Sequence, residues 1–239
     1  MAERYSRVYS LPNNLYTQKS PLVIKAGALL KDNQSNFLIA QLKLHNVSNR
    51  AIKFVKVELV LFDSLGRDLD ASFTFDYLDL RVPRGADFGS QTPIKISESN
   101  ARSYSVKVLE VGFGDNTIWN SKNNIWDSLP TQKQISFVLK NDIAVRGYQT
   151  KFGTNANMAF CEHLDLWMCA CGHINHCNEN YCYHCNASHE ELKNITVENL
   201  INESIYSTAC QLANSTNVDN IKKLLQNSKK LKDLRILKI

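Results

Sequence analysis

No cysteine occurs before residue 161 of this 239-residue chain, and no stretch approaches the roughly 18 uninterrupted apolar residues of a membrane-crossing helix. The longest candidate, Val55 to Phe62, is split by Lys56 and Glu58. Arg4, Arg7, Pro12, Asn13, Asn14 and Lys19 interrupt Met1 to Ser20, which predicts no secretory signal. A phosphate-cradling loop is missing too: Gly112-Phe113-Gly114 lacks the third glycine and the following helix of a dinucleotide motif. No Ser, Asp or Glu stands at a spacing that would name a nucleophile or a base, and there is no internal repeat or low-complexity tract. These absences predict a soluble protein with no transmembrane segment, and one that is not an enzyme.

What is present divides into three textures. Residues 37–47, FLIAQLKLHNV, and Ile52 to Asp63, IKFVKVELVLFD, alternate apolar and polar, which is the period of a half-buried strand. The rhythm continues through Asp68 to Tyr77, Thr92 to Ile96, Ala101 to Phe113 and Gln134 to Leu139. Turn signals fall at Gly66, Pro83, Gly85, Gly89 and Gly114 to Asn116. Short strands at such spacing, with no amphipathic helix between them, predict a mainly β fold, an antiparallel β-sandwich over 20–148 after an N-terminal arm of 1–19. Thr150 to Met158 is small, polar and Gly-containing, so 149–159 reads as a linker.

All seven cysteines lie after residue 160, six of them between 161 and 185. Such clustering beside a Cys-free region indicates metal in a reducing compartment, here the cytoplasm, rather than a disulfide framework. The pattern is Trp167-x-Cys169-x-Cys171-x3-Asn175-x6-Cys182-x2-Cys185. Two close pairs of thiolates on two turns can meet at one tetrahedral ion, with Zn–S bonds of about 2.3 Å. Cys169, Cys171, Cys182 and Cys185 are the expected ligands of one structural Zn2+, in a small zinc ribbon over 160–190. Gly172 would let the chain turn tightly enough for amides to face sulfur. Cys161, Cys177, His173, His176 and His184 are the alternative donors. Four thiolates would close the shell and leave no water to activate.

The order of Trp, Cys pair, Asn and Cys pair resembles the Ran-binding-protein type of zinc finger, although Cys-x-Cys replaces a longer first spacing. That departure, with Gly172, is more similar to compact zinc ribbons appended to bacterial proteins. Members of the finger family read single-stranded RNA or ubiquitin. Residues 161–190 contain no Lys or Arg but include Glu162, Asp165, Glu179 and Glu190, which argues against nucleic-acid binding through the ribbon. Gly172-His173 stands where the ubiquitin-reading version has Thr-Phe.

From Thr196 the period becomes helical, through Leu200, Ile201, Ile205, Ala209 and Leu212, then through Val218, Ile221, Leu224, Leu225 and Leu231. This predicts a C-terminal α-helical hairpin over 195–239. Its end carries Lys222, Lys223, Lys229, Lys230, Lys232, Arg235 and Lys238 against Asp233 alone, a face that could meet an anionic partner. IAQLKLHNVSNRAIKFVKVELVLFDSLGRDL, FGSQTPIKIS and IYSTACQLANSTNVDNIKKLLQNSKKLKD resemble uncharacterised bacterial proteins that combine a β-sandwich, a zinc ribbon and a helical pair. The resulting expectation is a cytoplasmic scaffold or adaptor for a protein partner. The alternative is a nucleic-acid-binding protein acting through the basic hairpin.

Overall fold

The computed structural model describes residues 4–122 and 125–214. The chain is mainly β, with antiparallel sheets and few helices, and it divides into two compact units, Met1–Pro130 and Thr131–Ile239.

The first unit holds β1 (Tyr5–Ser10), β2 (Leu15–Tyr16), β3 (Leu22–Asp32), β4 (Leu38–Asn46), β5 (Ile52–Phe62), β6 (Asp68–Tyr77), β7 (Asp87–Phe88), β8 (Ile94–Ile96), β9 (Ser103–Phe113), β10 (Ile118–Asn120) and β11 (Asp127–Ser128). One sheet runs β11-β2-β3-β4-β7, with β1 added to β3 and β8 to β4; the other runs β10-β9-β5-β6. Every pairing is antiparallel. The N-terminal residues expected to form an arm are therefore partly strand, since β1 pairs along β3 from Tyr5↔Asp32 to Ser10↔Ala28.

Alternation does here what the sequence suggests. On β5, Val55, Val57, Leu59 and Leu61 are buried, while Lys56, Glu58 and Val60 face the other way and are half-buried. Leu22, Ile24, Leu29, Leu42 and Leu44 of β3 and β4 join Val57, Leu59, Val106 and Val111 of β5 and β9 in one apolar core. Each such side chain contributes about 1.5–3 kcal/mol of burial free energy. Between β4 and β5 the chain passes from one sheet to the other. There the fully buried Asn46 amide donates to the carbonyls of Arg50 and Val82, and its oxygen accepts from Ser48 N–H and Oγ–H. Both ends of the buried Asn46 side chain are thus satisfied in that crossing.

The second unit begins earlier than the alternation implies. Gln134 to Leu139, read from sequence as a strand, forms helix α1 (Ile135–Leu139), and α2 (Asp142–Phe152) occupies part of the expected linker. Residues 131–148 thus belong with the cysteine region. Asn141 caps α2, its side chain accepting from the N–H groups of Ile143 and Ala144. Strands β12 (Cys161–His163), β13 (Leu166–Met168) and β14 (Ile174–His176) form a three-stranded antiparallel sheet, followed by α3 (His189–Lys193) and α4 (Val197–Asn214). Thr196 Oγ1 accepts from Asn199 N–H and caps α4. The second helix of the expected hairpin, and Lys222, Lys223, Lys229, Lys230, Lys232 and Arg235 with it, lie outside the described residues.

Helix α4 packs on α2. The approach is close because Gly147 faces the α4 backbone: a Cβ added there would lie 1.8 Å from the Leu200 carbonyl oxygen. Ala144, Tyr148 and Phe152 of α2 and Leu200 of α4 share one core with Trp167, Cys169, Ala170, Cys182 and Ala187. The cysteine turns are thus built into a helical core rather than strung between modules.

Candidate metal centre

Two tight turns present the cysteines. The first follows β13: Gly172 N–H donates to Cys169 O at 2.8 Å and Cys169 N–H to His173 O at 2.9 Å, with Gly172 in the left-handed region at φ 85°. In the second, Asn186 N–H donates to Cys182 O and Cys182 N–H to Ala187 O, each at 2.9 Å, with Asn186 at φ 60°. Asn175, wholly buried on β14, joins the turns: its amide donates to His173 O at 3.3 Å and its oxygen accepts from Tyr183 N–H at 3.1 Å. On the same sheet Trp167 is fully buried, donates from Nε1 to His176 O and Glu179 O, and stacks on His189 at 4.8 Å. His189 in turn holds Glu162, which also pairs with Lys193.

The result is a cluster in which the sulfurs of Cys169, Cys171, Cys182 and Cys185 all lie within 4.8 Å of one another. Cys169 and Cys185 are 3.4 Å apart and Cys171 and Cys182 3.7 Å. Bonds of about 2.3 Å at tetrahedral angles place sulfurs about 3.8 Å apart, so the arrangement fits a single ion with little rearrangement. Backbone N–H groups face the sulfurs as well: Cys171 toward Cys169, His173 toward Cys171, and Cys185 and His184 toward Cys182. Such amides favour thiolate and fix the direction of each lone pair.

The electrostatics of the cluster suits a cation. The sulfurs of Cys171 and Cys182, followed by burial, push the Cys169 thiol far above its usual range. The S–H groups of Cys169 and Cys171 hold the Cys182 thiol far below it. Cys171 is favoured as thiolate by Cys169 but opposed by Cys182 and by burial, and ends at about 12. Ionisation of Cys169 and Cys171 is thus opposed by neighbouring sulfur, a conflict that a divalent ion between the sulfurs would remove.

Family models, curated proteins and solved structures give no match to this chain. The site stands on its geometry, which is compatible with zinc and could hold a metal ion.

Of the alternative donors, Cys161 lies on β12 opposite Met168, and Cys177 is exposed. His176 is outside both groups of residues able to share an ion. His173 and His184 do approach the cluster, with rings stacked at 3.8 Å and His173 Nδ1 3.5 Å from Cys171 Sγ. Sequence reasoning missed Gln132, whose amide donates to Ala159 O at 2.9 Å and Cys169 O at 2.8 Å. It also missed Tyr148, whose hydroxyl donates to Met158 O at 3.1 Å. Neither carries a local signal, because each acts on a backbone carbonyl distant in sequence. Among the described residues no helix is long and apolar enough to cross a membrane.

Proposed function

We infer that the chain is a non-enzymatic scaffold or adaptor, in which one structural zinc holds a ribbon of residues 160–190 and the two packed sheets act as a β-sandwich that meets a protein partner. The four converging sulfurs carry this reading: a shell of four thiolates leaves zinc no open position for water, so its contribution is folding energy rather than chemistry. The segment has few large apolar groups of its own, and its Trp, Asn and paired cysteines follow the order of the Ran-binding-protein type of finger, with the Cys-x-Cys spacing of the bacterial ribbons it resembles. A partner surface is available on β6, a ten-residue strand at the end of its sheet, with β5 as its partner along one side. Outer strands of that length accept an added strand from another protein. The cytoplasm, where thiols stay reduced, suits the centre.

The basic residues from Lys222 to Lys238 favour a second reading, in which the C-terminal segment binds nucleic acid.

Elemental analysis of the purified full chain tests the metal: one zinc per chain is expected, lost in a Cys182→Ser, Cys185→Ser double variant. Less than half an equivalent, or unchanged zinc in that variant, overturns it. Affinity capture of the tagged chain with mass spectrometry then separates the two readings. A protein partner retained as salt rises supports the scaffold, whereas nucleic acid released steeply by salt supports the alternative.

A further inference from the structure

The two cysteine turns repeat one small pattern, Cys171-Gly172-His173 and Cys182-Tyr183-His184. In each, the amide of the histidine faces the sulfur two residues before it. That shared geometry brings both imidazoles to one side of the cluster, where their rings stack at 3.8 Å and within 8° of parallel. Cys171 Sγ and a ring nitrogen of each histidine all lie within 4.8 Å of one another. Cys171 and His173 are half-buried and His184 is exposed, so the group opens to solvent, unlike the buried Cys169 and Cys182.

We propose that Cys171, His173 and His184 form a second, exchangeable metal site for Zn2+ or a similar borderline ion, with the Cys171 thiolate bridging it to the first. The inference rests on the four-thiolate reading above. Zinc–nitrogen bonds of about 2.0–2.1 Å at tetrahedral angles set the two nitrogens about 3.4 Å apart, a span inside the 4.8 Å that already encloses the three donor atoms. Rotation about the Cβ–Cγ bonds, which exposure leaves open to His184, turns both nitrogens onto one ion. A thiolate already bound to zinc keeps lone pairs for a second. Two imidazoles and one thiolate are a donor set that suits zinc, and a water fills the fourth position.

Charge points the same way. A zinc ion with four thiolates carries a formal charge near −2. Residues 161–190 supply no Lys or Arg to balance it. Lys193 is engaged with Glu162 and Lys151 lies near Glu191. A second divalent ion brings the centre to neutrality. The outer position, with three protein donors, one of them shared, binds more weakly than the inner one and exchanges with free zinc.

The test is isothermal titration of the full chain, already carrying one zinc, with Zn2+ in a non-chelating buffer. One further equivalent is expected, and removing either imidazole ligand should weaken it by more than about 100-fold, beyond the loss seen when groups that only orient ligands are removed. His173→Ala and His184→Ala should each show that loss while keeping the first zinc, and His163→Ala should leave both. In the unaltered protein, the imidazole resonances of His173 and His184 should move with the second equivalent, a readout independent of any variant. Saturation at one equivalent overturns the proposal, as does a second equivalent that keeps its affinity in either variant or leaves both imidazoles unmoved. Loss of the first zinc in His173→Ala also overturns it, placing that histidine in the inner shell. Failure to carry a first zinc at all would instead refute the four-thiolate reading.

Discussion

Alanine at position 147 separates helix propensity from helix packing, because the two act in opposite directions. In an isolated α2, Gly147→Ala would gain about 1 kcal/mol, since alanine loses less backbone freedom in a helix. In the folded chain the new methyl would lie 1.8 Å from the Leu200 carbonyl oxygen, 2.6 Å from its carbon and 3.1 Å from its Cα. These are main-chain atoms of α4 that cannot rotate away. Restoring ordinary contact near 3.4 Å requires the helices to part by about 1.6 Å. That would open the core shared by Ala144, Tyr148, Leu200 and Trp167. Overpacking costs about 1–3 kcal/mol where neighbours can adjust, and at an unyielding backbone the upper end or more applies. The expected net loss is about 2 kcal/mol. Hydrogen exchange on the metal-loaded chain should show protection of α2 and the first turns of α4 falling by roughly 30-fold, while β3, β4, β5 and β9 stay unchanged. Equal or greater protection in α2 would refute the argument, because propensity would then have outweighed the close approach.

Three further outcomes follow from the same structure. Chelation of the metal should make the chain protease-sensitive beyond about residue 131 and leave a resistant fragment near Met1–Pro130, read by mass spectrometry; global unfolding would contradict the division into two units. Leu59→Ala, in the middle of β5 and fully buried, should lower stability of the first unit by about 2–5 kcal/mol in denaturant unfolding. Burial raises the Asp87 carboxyl, but hydrogen bonds from Lys25, Lys43 and His45 outweigh it and hold it down at about 2. Against an unfolded value of about 3.9, this contribution to stability is complete above about pH 4 and is lost as pH falls through about 2. Asp87→Asn should remove that part of the acid unfolding profile.

The first unit was legible wherever one face of a strand is buried and the other wet. β5 and β6 fall within a residue or so of the alternating stretches, because a period of two has no other explanation there. The paired cysteines were legible for a different reason, since four thiols at such spacing have few uses besides a metal. The helices between them were not. α1 is the short apolar run ISFVL, which pattern alone does not tell from a strand. α2 buries Ala144, Gly147, Tyr148 and Phe152, and neither alanine nor glycine marks an apolar stripe. Its central glycine even argues against a helix until α4 is seen lying against it. The domain boundary moved from 148 to 130 as a result, and α4 found its cover on α2.

Trp167 also gives the molecule an optical gauge of its four-cysteine cluster. Of the three tryptophans it alone is fully buried, its indole N–H spent on two carbonyls and its face against His189, whereas Trp119 and Trp126 are half-exposed members of the first unit. Its emission should form the blue component of the spectrum. Because β13 leads from Trp167 straight into Cys169, loss of the proposed ion should wet the indole and shift that component to the red. The signal from Trp119 and Trp126 would meanwhile stay constant, so one cuvette could time the collapse of the centre against an internal reference in the same chain.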